Sequence, residues 1–589
     1  MRRPRRAYIR SWSWPSSAPS PKAPGSPLES FGNPVSSSKE TTMQVQDAIA
    51  EILKREGVET LIGYPINPLF DACARADIRP LVVRQERIGV HMADSFSRMR
   101  SGKDIGVFTM QSGPGTENAF GAVAQAFSES VPIVVIAGGY GRTQTNVFPY
   151  FSALVNYQHV TKWCEQVTVA AAVPDAMRRA FSQARNGRGG PALIEIPGDL
   201  WTEEVPEPLD YVPTFATRSG PDMAAVDEVA RVLVDAERPM LYAGQGVHYA
   251  QAWDELKELV ELLEVPTTTS LEGKSAFPED HPLSLGSGGR SLPGPVYQHL
   301  RDADVVFGIG CSFGKTNYGI SFPAGKTYVH STNDPKDLNK DVVASHALIG
   351  DAQLTLRALT EAVRERLGGK PRGRFEEVAS KITSQREEWM AQWMPKLTSD
   401  DSPMSPYRVI WDMMHTVDID NTIITHDAGS PRDQISPFWR STTPLSYIGW
   451  GKTTQLGYGL GLAMGAKLAN PDKLCINWWG DAAIGMTGMD FETAVREGVP
   501  IMSVLSNNFS MAIELKAMTT ATEKYRSTDI SGNYADFAKA LGGYGERVTE
   551  PSEIIPAIKR GIAETQAGRP VLLEFITQKE TEISSWPAL

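Results

Sequence analysis

No uninterrupted apolar run in this 589-residue sequence approaches the roughly 20 residues that a membrane-spanning helix requires, so no membrane insertion is expected. Cysteine is scarce. The four present (Cys73, Cys164, Cys311 and Cys475) stand far apart and form no CxxC pair or Cys/His cluster. That excludes a disulfide framework and a structural zinc site, and it points to reduced thiols in a cytoplasmic protein. Positive charge is in deficit. With 58 Lys and Arg against 69 Asp and Glu, the formal net charge is −11, which argues against a general nucleic-acid binder. Residues 1–42, rich in Arg, Ser and Pro, lack the continuous apolar core of a secretory signal. A targeting peptide is one reading of them; the expected one is a disordered tail or the product of an upstream start, with Met43 the true beginning, and they are set aside from the fold.

What remains is long enough for several cores, and its 41% hydrophobic, 22% charged composition is that of an ordinary soluble protein. Strand-like runs alternate with amphipathic helices in three blocks, which predicts an α/β protein with three consecutive doubly wound parallel-sheet domains. The first spans 43–215, with runs TLIGYP, PLVVRQE, IGVFTMQSG, PIVVIAGG and PALIEIPGDLW. The second spans 216–370, with PMLYAGQGV, PTTTSL, DVVFGIGCSF and KTYVHST. A charged helix in 371–404 is expected to bridge outward, and the third block fills 405–589 with NTIITHDAG, KLCINWWGD, PIMSVLSNN and PVLLEFI. The first and third blocks share length and rhythm, suggesting two related sheets flanking a middle one.

The chemistry concentrates in GDAAIGMTGMDFETAVREGVPIMSVLSNNFSMAIE, residues 480–514. KLCINWWGD is expected to end in a tight turn at Gly480, with Asp481 beyond the strand's carboxyl end, where open α/β sheets bind ligands. A crossover helix and the parallel strand PIMSVLSNN would then set Asn508 beside Asp481. A carboxylate, an amide oxygen and a nearby carbonyl are hard ligands suited to Mg²⁺, which completes its octahedron with phosphate oxygens and water. The site therefore implies a diphosphate.

Gly-Asp, a helix, then Asn-Asn resembles the signature of thiamine-diphosphate (ThDP) enzymes of the acetolactate synthase and decarboxylase superfamily, and the resemblance extends over about residues 43–577. Ala482 stands where that family usually has Gly, although the 2-hydroxyacyl-CoA lyase and oxalyl-CoA decarboxylase branch has Ser there. The resemblance implies pyrimidine-binding, middle and diphosphate-binding domains in that order. It implies Mg²⁺ on Asp481, Asn508 and the main-chain carbonyl of Ser510, with Gly480, Ala482 and Ala483 beside the cofactor. HDAGSPRDQ matches the loop that holds the diphosphate, through Ala428, Gly429 and Ser430. In GWGKTTQLGYGLGLAMGAK, Leu456 lies where the family has the apolar wedge that bends the cofactor, and the Thr454 carbonyl would meet the pyrimidine amino group. RQERIGVHMADSF maps the carboxylate that activates the pyrimidine to Glu86, at the end of the second strand. In this family Glu86 and the metal ligands come from different subunits, so a homodimer is the minimum and a homotetramer the expected assembly.

Three features bear on the substrate. Gln111 occupies a position where benzoylformate decarboxylase has a catalytic His, and it either hydrogen-bonds a carbonyl or helps close the turn. Glu117, in the same loop, faces the site or caps the helix. Glu514 falls where pyruvate decarboxylase has its active-site Glu, and it either moves a substrate proton or pairs with a neighbour. YAGQGVHYAQAWDEL and GDAAIGMTGMDFET look like segments of the 2-hydroxyacyl-CoA lyase and oxalyl-CoA decarboxylase branch. GIGCSFGKTNYG lacks the ARFDDR run of acetolactate synthases, so FAD is not expected. Arg290 and Lys315 are candidate partners of coenzyme A phosphates. The resulting expectation is a ThDP- and Mg²⁺-dependent carbon–carbon lyase acting on a 2-hydroxyacyl-CoA, for example converting 2-hydroxyisobutyryl-CoA to acetone and formyl-CoA. The alternatives are an acetolactate-synthase-like carboligase or 2-oxoacid decarboxylase without FAD, and a non-catalytic ThDP-fold scaffold.

Overall fold

In the computed structural model, residues 42–587 except 146 are described, so the expected tail 1–42 lies, but for Thr42, outside them. The described chain forms one compact unit built on three six-stranded sheets, each wholly parallel. A short antiparallel ribbon joins β1 (Thr42–Gln44) to β8 (Glu204–Pro206).

The first sheet holds β2 (Thr60–Gly63), β3 (Arg79–Val82), β4 (Gly106–Met110), β5 (Ile133–Gly139), β6 (Trp163–Gln166) and β7 (Ala192–Pro197), in the order β3-β2-β4-β5-β7-β6. The middle sheet holds β9 (Pro239–Ala243), β10 (Thr267–Thr269), β11 (Ser284–Ser287), β12 (Val305–Ile309), β13 (Thr327–Thr332) and β14 (His346–Ile349), in the order β11-β10-β9-β12-β13-β14. The third holds β15 (Thr422–His426), β16 (Tyr447–Ile448), β17 (Leu474–Gly480), β18 (Met502–Asn507), β19 (Tyr544–Val548) and β20 (Val571–Ile576), in the order β16-β15-β17-β18-β20-β19. Counted from its own first strand, the third sheet repeats the connectivity of the first, so the shared rhythm of blocks one and three is a shared topology. The middle sheet instead has the order of the dinucleotide-binding fold.

The first and third domains meet through two helices, Glu86–Met99 and Tyr458–Ala469. The second carries glycines where the first presses on it. A Cβ on Gly465 would come within 2.2 Å of the Met92 carbonyl oxygen, and one on Gly461 within 2.5 Å of the His91 Cβ. Gly465→Ala should therefore cost about 1–3 kcal/mol through overpacking, outweighing the roughly 1 kcal/mol that alanine adds in helix propensity. Thermal unfolding checks this, and an unchanged or raised melting temperature would contradict it.

The helix Phe375–Leu397 does not bridge outward as its charge suggests. Trp389 and Trp393 are buried, and Trp389 stacks on Phe438 of the third domain at 5.0 Å between ring centroids. The C-terminal segment docks on the same helix. The Trp389 indole N–H donates to Ser584 Oγ (3.0 Å), and Trp586 stacks on Tyr297 of the middle domain at 4.9 Å.

Candidate active site

The third sheet reverses its strand order between β15 and β17, and ligands of such sheets bind outside that crevice. The loop Asp427–Ser430 leaves β15 there and Gly480–Ala483 leaves β17. Gly480 pairs with Ser506 of β18, so Asn508 emerges alongside. A groove of about 150 Å³ is lined by Gly429, Leu456, Asp481, Asn508, Ser510 and Glu514, among others from the same domain. Ala428, Ser430, Gly480, Ala482 and Ala483 line it as well.

The turn at Gly480 differs from the expectation. Its backbone is extended (φ −109°, ψ 170°), Asp481 opens the helix Asp481–Thr487, and a Cβ on Gly480 would meet nothing nearer than 3.6 Å. No glycine is required there by backbone strain. Asp481 is 3% exposed, and its Oδ2 accepts the Ser510 N–H at 3.0 Å. Burial pushes the Asp481 carboxyl up to about 6, against the lowering effect of surrounding backbone N–H groups.

The two asparagines have separate tasks. Asn507 is fully buried; its Nδ2 donates to Glu574 (2.7 Å) and its Oδ1 accepts the Phe509 N–H (3.0 Å). That holds Phe509 at φ 56°, a left-handed bend that swings Ser510 back toward Asp481. Asn508 is the free one: its Oδ1 is buried with no hydrogen-bond partner among the described residues. An orphaned amide oxygen beside a buried carboxylate is costly unless a ligand satisfies it. Among the described residues no three His, Cys, Asp or Glu side chains cluster as a metal site. One carboxylate with amide and main-chain oxygens is nevertheless a set that Mg²⁺ accepts when phosphate supplies the remainder. The residues present fit a Mg²⁺-bound diphosphate.

Asp427 was not foreseen. It is fully buried, and its carboxylate accepts the N–H groups of Ala428 (2.8 Å), Gly457 (2.9 Å) and Gly459 (3.0 Å). It ties the β15 loop to the segment bearing Leu456. The HDAG run was the available signal, an acid between a strand and a glycine turn. Glu514 is exposed on the groove wall, and among the described residues its carboxylate makes no hydrogen bond or ion pair. The alternative that it pairs with a neighbour therefore has no support. Glu492 does pair with Arg496 (3.0 Å).

Glu86 lies elsewhere. It does not end a strand; it is the first residue of the helix Glu86–Met99, is 5% exposed, and accepts the Asn118 amide N–H at 3.2 Å. Burial raises its carboxyl above the usual range, opposed by its own backbone N–H and by Asn118. Gln111 is exposed just after β4, and Glu117 is exposed in the first turn of Pro114–Ser128, where an acid suits the helix dipole. Neither Glu86, Gln111 nor Glu117 lines the third-domain groove.

A second cavity, of about 1030 Å³, lies between the first and middle domains: it covers the reversal point of the middle sheet, between β9 and β12, and residues 101–104 and 187–189 of the first domain also line it. Gly244, Gly246 and Gly310 form its floor, with the Gly246 N–H donating to the Gly310 carbonyl at 2.8 Å. Lys315 lines it; Arg290 does not, its backbone N–H instead donating to the Tyr318 carbonyl (2.8 Å).

Descriptions of one family match three successive parts of the chain: the N-terminal TPP binding domain of thiamine pyrophosphate enzymes at residues 43–170, their central domain at 226–359 and their C-terminal TPP binding domain at 427–575. Together these span more than half of the sequence. The chain belongs to the thiamine pyrophosphate enzymes. ThDP is the cofactor of this family and Mg²⁺ its usual partner, in agreement with the orphaned Asn508 oxygen beside Asp481. This thiamine pyrophosphate enzyme is similar to a probable acetolactate synthase large subunit of Methanocaldococcus jannaschii, with 28% identity over 91% of this chain and 92% of that protein. It is similar to the acetolactate synthase isozyme 3 large subunit of Escherichia coli K12, with 26% identity over 90% and 94%. A glyoxylate carboligase of Escherichia coli O157:H7 is 27% identical over 92% and 94%. No helix among the described residues is long and apolar enough to cross a membrane.

Proposed function

We propose that this enzyme makes or breaks a carbon–carbon bond next to a carbonyl group, as a carboligase or decarboxylase of 2-oxoacids, with Glu514 moving the substrate's proton. The relatives named as acetolactate synthases and a carboligase support the substrate class. The observation that carries the site is the unpaired Glu514 carboxylate in the same groove as Asp481, Asn508 and Leu456. Asp481, Asn508 and the Ser510 carbonyl would hold Mg²⁺. The backbone of Ala428–Ser430 and of Ala482–Ala483 would hold the diphosphate. Leu456 is the apolar side chain available to wedge the cofactor, and the Thr454 carbonyl is free for its amino group. When bound, ThDP supplies the nucleophilic, electron-accepting carbon. The groove is lined by third-domain residues alone, so a second copy of the chain would bring Glu86 to it, together with Gln111 as a hydrogen-bond donor to a substrate oxygen. A homodimer is then the smallest complete unit.

A second reading, cleavage of a 2-hydroxyacyl-CoA to formyl-CoA and an aldehyde or ketone, is favoured by the cavity between the first and middle domains. Its volume of about 1030 Å³, glycine floor and reversal-point position suit an adenine nucleotide moiety, with Lys315 at its wall. Incubating the Mg²⁺- and ThDP-loaded enzyme with pyruvate, glyoxylate and 2-hydroxyisobutyryl-CoA, read by mass spectrometry, separates the two. CO₂ with a condensed product supports the first; acetone with formyl-CoA supports the second and sinks the first. Under either reading Glu514→Gln should lower kcat by about 10²–10⁴-fold, the usual worth of a positioned acid–base group, with KM changing far less. A loss confined to KM would remove Glu514 from proton transfer.

A further inference from the structure

The segment between β16 and the helix Tyr458–Ala469 has no regular structure, yet it carries Thr454 and Leu456. Such a segment cannot hold two groups to sub-ångström positions by its own backbone ladder, so something else must fix it. The hydrogen bonds show what does. Arg98 donates to the Gly449 carbonyl at 3.0 Å. Glu129 Oε1 accepts the N–H groups of Gly451 (3.1 Å) and Lys452 (2.8 Å). Gln125 donates through Nε2 to the Thr453 carbonyl (3.0 Å), and its Oε1 accepts both Thr453 Oγ1 (2.8 Å) and the Gln455 N–H (3.2 Å). Arg87 donates to the Leu456 carbonyl at 2.9 Å.

All four side chains belong to the first domain. Gln125 lies in the last turn of the helix Pro114–Ser128 and Glu129 caps its C-terminal end; they are 1% and 0% exposed and are joined to each other at 3.2 Å. Buried and hydrogen-bonded to each other, they fit a clamp better than a solvated loop contact would. They grip both sides of Thr454 and leave its carbonyl without a hydrogen bond from any described residue.

We propose that Gln125 and Glu129 are positioning residues for the cofactor: they hold Gly451–Gln455 so that the Thr454 carbonyl and Leu456 face the pyrimidine. The proposal rests on the reading that Thr454 and Leu456 meet the cofactor. The first domain thereby acts on the groove of its own chain, in addition to lending Glu86 to a second copy.

The test measures ThDP affinity by calorimetry, with saturating Mg²⁺ and well below the melting temperature, for the full chain and for Gln125→Leu, Thr453→Val and Leu456→Ala. Gln125→Leu keeps the side chain's bulk and removes every bond it makes. It should weaken ThDP binding about tenfold or more and speed hydrogen exchange at the Gly451–Gln455 amides, with kcat falling more than substrate KM rises. Thr453→Val, at an exposed side chain that is safe for folding, should weaken binding about threefold and speed the same exchange; it decides the question if Gln125→Leu does not fold. Unchanged ThDP affinity and amide exchange in whichever of these folds, while Leu456→Ala weakens binding, would overturn the clamp alone. Unchanged affinity in Leu456→Ala would overturn the cofactor reading of the segment and the clamp with it.

Discussion

Asp481→Asn should abolish Mg²⁺-dependent retention of ThDP, weakening its binding by roughly 100-fold or more and stopping turnover at ordinary cofactor concentrations. The substitution keeps the shape and an oxygen to accept the Ser510 N–H, now 3.0 Å from Oδ2, so the Ser510 carbonyl stays in place. What it removes is the one negative charge among the proposed metal ligands, the group that makes a site of neutral oxygens attractive to Mg²⁺. The same substitution should destabilise the cofactor-free protein only slightly, by about 1 kcal/mol: it relieves a buried charge, but Asp481 Oδ1 also accepts the Ala482 N–H (2.9 Å), which the new amide NH2 cannot do. Calorimetry with ThDP and Mg²⁺, together with melting curves with and without them, reads both effects. A variant that still binds ThDP in a Mg²⁺-dependent manner would show that the diphosphate is held elsewhere.

Glu86→Gln should show the opposite division. ThDP binding should change by only a few-fold, since the diphosphate and metal contacts are untouched, while turnover falls by about 10²–10⁴-fold. Glu86 is buried with a raised proton affinity and, among the described residues, Asn118 as its side-chain partner, which suits the proposed exchange of a hydrogen-bonded proton with a ring nitrogen. Glutamine offers neither the proton nor the charge. Among the described residues only third-domain ones line the groove, so under the proposed dimer the effect requires a second copy. Mixing Glu86→Gln chains with Asp481→Asn chains should therefore restore one competent site per mixed dimer, about half of the parent activity in that species. Failure of such mixtures to recover activity would place Glu86 in its own chain's site, or in none.

Every inner strand of the three sheets is legible in the sequence patterning, as is the one apolar edge strand, Arg79–Val82; the strands of these sheets that patterning misses all lie at edges. Trp163–Gln166, Ser284–Ser287, His346–Ile349, Tyr447–Ile448 and Tyr544–Val548 are all edge strands. An inner strand of a parallel sheet is covered on both faces and must be a continuous apolar run, such as IVVIAGG. An edge strand pairs on one side only and tolerates Ser, Gly, Glu and Arg. The helix Phe375–Leu397 was misjudged for a related reason: its charges describe the exposed face, whereas Trp389 and Trp393 decide where it packs.

The neighbourhood of Asp481 and Asn508 is set by sequence alone, because a strand, a crossover helix and the next parallel strand form a local unit whose geometry leaves little freedom. The same unit implies a Mg²⁺-bound diphosphate, and its resemblance to the thiamine-diphosphate signature implies the cofactor class. Which of the two asparagines is free for the metal was decided by tertiary contacts: Glu574, 67 residues beyond Asn507, claims its amide and leaves Asn508 unpaired. The grip of Gln125 on Thr453 joins residues 328 apart, and no spacing rule reaches across two domains. The cavity over the middle sheet needed the strand order itself, since only the β9–β12 reversal brings Gly244 and Gly310 together. Local chain geometry fixes which groups can share a strand end, while burial among distant segments fixes which of them remain free to act.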